Sequence, residues 1–212
     1  MSPVVVVIMG VSGCGKSSVG VQLARLWNAT FLEGDAMHTG HNLAKMASGV
    51  PLNDDDRLPW LLALHSRIRR AVDFRDRLVV ACSALKPEYR HVLIHGRMLS
   101  DEDDVASETE RRDAVAFVLL APDVSDLRSR LERRAGHFFP ASLLDTQLST
   151  LRFEAAELFA HEVPDEDGVF PPPERIADRL ASALLGSSSS GGSGASGGSG
   201  GPGTAAATAR PP

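Results

Sequence analysis

The chain has little of several things: 212 residues contain two cysteines, one tyrosine, two tryptophans and fewer basic than acidic side chains, for a formal net charge of −5. Cys14 and Cys82 stand at no metal-ligand spacing and cannot build a disulfide framework, so both are expected to pack inside a protein of a reducing, cytoplasmic setting. Without a basic excess there is no broad face for a nucleic-acid backbone or an anionic membrane surface, and neither partner is expected. The apolar runs, Val4 to Met9 among them, are far too short to span a bilayer. The first residues also lack the basic region and longer apolar segment of a secretory signal. Large apolar side chains give out after Leu185. Residues 186–212 are mainly Gly, Ser, Ala and Pro and cannot offset the entropy of ordering, so they read as a disordered tail. Residues 1–185 are then one domain, without an internal repeat or linker.

What is present is a regular alternation. Val4 to Met9 is an unbroken, mostly β-branched run, the pattern of a strand buried on both faces of a parallel sheet. Val19, Leu23 and Leu26 recur at helical spacing after Lys16. Further strands are expected at Thr30 to Glu33, Leu78 to Cys82, Ala114 to Ala121 and, on a weaker pattern, Leu158 to Val163. Helices are expected around Leu43 to Ala47, from about Asp56 with Leu58, Leu61, Leu62, Ile68 and Val72 inward, from Asp123 with Val124, Leu127 and Leu131 inward, from Leu143 to Leu151, and from the triple proline at 171–173 to Leu185. Strands alternating with helices give an α/β fold, a parallel sheet with helices on both faces. The acidic stretch 99–112 reads as an exposed insertion.

Gly10-Val-Ser-Gly13-Cys-Gly15-Lys16-Ser17 matches G-x-x-x-x-G-K-[ST], placed directly between a strand and a helix. Its glycines let successive N–H groups turn toward an anion, and the helix N-terminus adds partial positive charge. Gly10, Ser12, Gly13, Cys14, Gly15, Lys16, Ser17 and Ser18 are thus candidate ligands of the phosphates of ATP or GTP. Lys16 would bridge the β- and γ-phosphates and the Ser17 hydroxyl would ligate Mg²⁺.

Gly34-Asp35-x-x-His38, Asn42-x-x-Lys45-Met46-Ala47-Ser48-Gly49, Pro51-Leu52-Asn53-Asp54-Asp55-Asp56-Arg57-x-Pro59-Trp60-Leu61, Cys82-Ser83-Ala84-Leu85-Lys86-x-x-Tyr89-Arg90 and Gly136-His137-Phe138-Phe139 follow in order. In these segments the chain resembles the gluconokinases, P-loop kinases that phosphorylate a sugar acid. The resemblance covers about Val4 to Leu151. It implies ATP and Mg²⁺ as the nucleotide and metal, gluconate as the small-molecule acceptor, and a role in gluconate degradation.

Asp35, at the end of a strand beside the loop, is a candidate catalytic base; an Asp there also suits a helix cap. A sugar acid needs a cation for its carboxylate, which Arg57, Lys86 or Arg90 can supply, and polar groups for its hydroxyls, for which His38, Asn42 and Asp54 are candidates. Asp54 equally suits the first turn of a helix. Trp60 reads as pocket wall or core, Met46 as packing and His65 as a core-edge histidine. Residues 134–141 resemble the family's small lid, and the resemblance makes Arg130 a nucleotide ligand, Arg134 a transition-state cation and His137 a substrate contact. Arg128 and Arg133 read as a solvated face.

The chain departs from the family in several places. Leu151 to Glu157 lacks the proline that helps shape the base pocket, Thr39 replaces a proline, and His41 stands where relatives can carry a basic residue. The third strand ends without a metal-binding aspartate. Shikimate-type or nucleoside-monophosphate-type kinases share the fold, and a nucleotide-binding module without transfer activity is the reading from another class. The sequence leaves a homodimer open.

Overall fold

The structure is a computed structural model and describes residues 2–98, 113–133 and 142–186. The acidic insertion, the lid segment with Arg134 and His137, and residues 187–212 lie outside the described residues. The described elements are β1 (Val5–Met9), α1 (Lys16–Trp27), β2 (Thr30–Glu33), α2 (Gly40–Ala47), α3 (Asp54–Phe74), β3 (Leu78–Ala81), α4 (Pro87–His95), β4 (Val115–Leu120), α5 (Val124–Arg133), α6 (Ser142–Thr150), β5 (Ala160–Glu162) and α7 (Pro173–Gly186). The five strands form one sheet in the order β2-β3-β1-β4-β5, every neighbouring pair parallel.

β1 is buried along its whole length because both its faces are covered. Val6 and Ile8 point into a layer with Val19, Leu23 and Trp27 of α1 and Ile176, Leu180 and Leu184 of α7. Val5, Val7 and Met9 alternate into the opposite layer, with Trp60, Leu64 and Ile68 of α3 and Val92 and Leu93 of α4. Leu127 of α5 and Leu144 of α6 join the α1/α7 layer. This is the α/β architecture the sequence implies. All five strands therefore deliver their following loops to one edge of the sheet, where open α/β sheets bind ligands.

Local chemistry moves several expected boundaries. α3 starts at Asp54, two residues early, because Asn53 caps it: the Asn53 side chain accepts from the Asp56 N–H at 2.8 Å and the Asp56 carboxylate accepts from the Asn53 N–H at 2.9 Å. α4 follows Pro87 at its first position, a helix the alternation of strands does not announce. Leu26 is exposed because the buried stripe of α1 leans the other way, toward Gly20 and Ala24. Val124 stays exposed at the first turn of α5, and β5 is shorter than its apolar surroundings suggest.

Two glycines carry a contrast that a denaturant titration can read. A methyl group on Gly34 would overlap the Ala81 carbonyl oxygen, whereas one on Gly40 meets nothing within 4 Å. Gly34→Ala is expected to cost about 1–3 kcal/mol, the usual price of overpacking, and Gly40→Ala to be neutral or slightly stabilising. Equal urea midpoints for the two variants would contradict the packing described for Gly34.

Candidate active site

The phosphate loop takes the shape its glycines permit. Gly10, Gly13 and Gly15 all have positive φ, at 134°, 82° and 101°. The Gly10 N–H donates to the Ser83 carbonyl at 3.2 Å, tying the loop to the segment after β3. The Lys16 ammonium donates to the carbonyls of Gly10 and Val11 at 3.1 and 2.9 Å. Ser17 and Ser18 are exposed in the first turn of α1, whose leading N–H groups have no carbonyl within the helix to bond. A methyl on Gly15 would meet nothing within 4 Å, so the mouth of the cradle is open. Those features fit a polyphosphate.

On the outer side of the loop lies a cavity of about 630 Å³, bordered by Gly13, Cys14, Gly15, Arg130, Phe170 and Pro171 among others. The Arg130 guanidinium sits 5.6 Å from the centre of the Phe170 ring, a cation–π distance. Arg133 also borders this cavity, although its sequence context suggests only a solvated face.

β2 ends at Gly34, and the chain turns through a short 3₁₀ segment, Gly34–Met37. The Trp60 indole N–H donates to the Gly34 carbonyl at 2.8 Å, and the His38 ring stacks on Trp60 with centroids 4.2 Å apart. Trp60 is therefore both core and the floor beneath His38. Asp35 is exposed, and among the described residues no hydrogen bond or ion pair engages its carboxylate. The cap of the following helix is Thr39, whose hydroxyl oxygen accepts from the Asn42 N–H at 3.2 Å. Burial pushes His38 below the ordinary histidine value of 6.5, with the Asp35 charge opposing and the Arg57 charge adding to that shift. Asn42 is 1% exposed and its amide donates to the Asp56 carbonyl at 2.7 Å, with His38 Nδ1 3.4 Å away. Asn42 thus braces the site from within.

A second cluster joins the N-termini of α3 and α4. The Lys86 ammonium lies 2.8 and 2.7 Å from the two oxygens of Asp54. The Tyr89 hydroxyl donates to the same carboxylate, and Arg57 lies 3.9 Å from it with its guanidinium 5.7 Å from the Tyr89 ring centre. Hydrogen bonding from Lys86, then from Tyr89, holds Asp54 below the ordinary carboxylate value. The bond to Asp54 raises Lys86 in return. Ala84, with φ of 42°, bends the chain that carries Lys86 into place. The run at 54–56 is divided: Asp54 serves this cluster, while Asp56 pairs with Lys45 at 2.5 Å.

Arg90 goes inward. It is 4% exposed, donates to the carbonyls of Ala84 and Arg152 at 2.9 and 3.0 Å, and pairs with Glu157 at 2.5 Å. The proline-free segment after α6 is anchored through that pair. Cys82 is fully buried and burial pushes its thiol up to about 12, which fits a packing role. Sequence reasoning gave no role to Tyr89, Glu157 or Gln147. The last accepts from the Ser12 N–H at 2.7 Å across 135 positions of chain, and separations of that length leave no local signal. Among the described residues no group of three His, Cys, Asp or Glu side chains could hold a metal, and no helix is long and apolar enough to cross a membrane.

No protein-family model matches the chain. Over 152 residues it is 43% identical to the probable gluconokinase of Mus musculus, an alignment covering 71% of this chain and 83% of that protein. The thermoresistant gluconokinase of Escherichia coli (strain K12) is 40% identical over 151 residues, covering 71% and 78%. Among solved structures, a gluconokinase from Sinorhizobium meliloti 1021 superposes with a TM-score of 0.65 at 39% identity, covering 88% of this chain and 98% of that one.

The lowered His38 value has a stability consequence with a definite sign. Below about 6.5 the unfolded chain takes up a proton that the folded protein resists, so the folded state loses stability as pH falls through that window. Urea midpoints are expected to fall between about pH 7 and pH 5, and His38→Gln to flatten that slope. An unchanged slope in the variant would remove His38 as the cause.

Proposed function

The chain belongs to the gluconokinase family, and on that premise we propose that it transfers the γ-phosphoryl group of ATP to the 6-hydroxyl of D-gluconate. The observation that carries the proposal is a charge match at one edge of the sheet. Lys86 and Arg57 set two cations against the single carboxylate of Asp54, leaving one net positive charge, the complement of one sugar-acid carboxylate. With C1 held there, the six-carbon chain directs its far hydroxyl toward Asp35 and the phosphate loop.

Asp35 takes the proton of the 6-hydroxyl as that oxygen forms its bond to the γ-phosphorus. The bond from the γ-phosphorus to the β,γ-bridging oxygen breaks, and ADP leaves. Lys16 neutralises charge on the β- and γ-phosphates, with Arg134 adding to it. The amides of Gly13, Cys14, Gly15 and Ser18 cradle the phosphate chain, and the base rests in the cavity beneath Arg130 and Phe170. Ser17, a hydroxyl in the first turn of α1, is the oxygen ligand that would hold Mg²⁺, which when bound would supply charge neutralisation to the phosphates. His38, neutral and resting on Trp60, presents a ring nitrogen to the sugar hydroxyls, and His137 contributes from the lid. Asn42 and Arg90 act from behind, holding His38 and the Lys86 segment. The protein works in the cytoplasm, consistent with two free, buried thiols.

Asp35→Asn keeps the shape of the side chain and removes the base. It is expected to fold and bind ATP as the wild type does while gluconate-dependent ADP release falls about 10²–10⁴-fold. Turnover within about threefold of wild type would reduce Asp35 to a structural residue.

A further inference from the structure

Packing alone does not account for the position of the Gln147 amide. α6 is fixed by the fully buried Leu144 and by the ion pair of Asp145 with Arg128 of α5 at 2.6 Å. From that helix Gln147 reaches the phosphate loop, where Oε1 accepts from the Ser12 N–H at 2.7 Å. Because an N–H can be answered only by the oxygen, this bond fixes which end of the amide faces the loop. The Nε2 group, with two hydrogens, is turned away from Ser12, and among the described residues no acceptor engages it.

The loop has a direction. Gly13, Cys14, Gly15 and Ser18 border the cavity beneath Arg130 and Phe170, where the base belongs. At the other end the Gly10 and Val11 carbonyls hold the Lys16 ammonium, the group that bridges β- and γ-phosphates in such loops. Ser12 follows directly on those carbonyls, so the Gln147 amide stands at the γ end.

We propose that Gln147 is a further γ-phosphate ligand, its oxygen pinned by the Ser12 N–H so that its Nε2–H₂ donates to a γ-phosphate oxygen. The proposal rests on the loop being the ATP site, as assigned above. A pinned amide loses little freedom when it donates, which is the condition for stabilising charge that grows as the phosphoryl group transfers. It also gives α6, the element that follows the lid segment, a direct stake in the presence of the third phosphate.

Comparison of ATP with ADP separates this role from mere support of the loop. Gln147→Glu retains an oxygen for the Ser12 N–H but replaces the donor with negative charge; Gln147→Met removes donor and acceptor at similar length. Calorimetric titration of both variants is expected to show ATP affinity weakened about tenfold or more with ADP affinity within about threefold of wild type. The turnover number should fall about 10²-fold or more in Gln147→Glu. Equal weakening of ATP and ADP in both variants, or a turnover number in Gln147→Glu within about twofold of wild type, would overturn the assignment. The titrations need no acceptor, so they stand or fall separately from the gluconate reading.

Discussion

The contact of Gly34 with the Ala81 carbonyl sets the geometry of the site. With no side chain between them, β2 and β3 bring their C-terminal ends together, and the Trp60 indole N–H holds the Gly34 carbonyl from below. The turn that follows presents Asp35 to solvent at the same edge of the sheet as the phosphate loop and stacks His38 on Trp60. Ser83 just beyond β3 accepts from the Gly10 N–H, so the turn after β2 and the phosphate loop both meet the end of β3. A shift of this turn would move Asp35, His38 and the loop together.

The charged groups around this turn divide by burial into two kinds. The Asp54 and Lys86 pair is partly exposed, and such pairs add little to stability. What the pair does is orient the Lys86 ammonium beside Arg57, so that two cations face one carboxylate. Arg90 and Glu157 are different: the arginine is almost wholly inside, and removing either partner would strand a charge in the interior. That pair fixes the segment after α6 against α4. Arg57 on α3 and Arg90 on α4 thus differ in kind, the first facing the Asp54 carboxylate and the second buried against Glu157.

How legible each feature is depends on how local its cause is. The phosphate loop could be read because its strand, glycines, lysine and helix lie within two dozen residues, and the strands because burial on both faces removes alternation from their sequence. Helix α4 escaped because its charged residues read as a binding motif; the burial of Tyr89, Arg90 and His91 is set by α3 and the loop after β3. Arg90 and Asn42 have the composition of ligands, and only tertiary structure turns them inward. Gln147 could not be found from sequence at all, since its partner Ser12 lies far away along the chain. Asp54 carried two readings, first turn of a helix and substrate side; the structure puts it in the first turn of α3, bound by Lys86 and Tyr89.

One edge of this sheet is proposed to select a six-carbon sugar acid for phosphorylation at its far hydroxyl. ADP release from Mg²⁺-ATP measured against gluconate, other aldonic acids, glucose, shikimate and nucleoside monophosphates, with the product identified by mass and ³¹P resonance, tests it most directly. Turnover with gluconate far above the rest is expected, with 6-phosphogluconate as the product. Turnover with glucose equal to that with gluconate would contradict it, because the charge left over at Lys86 and Arg57 would then have selected nothing.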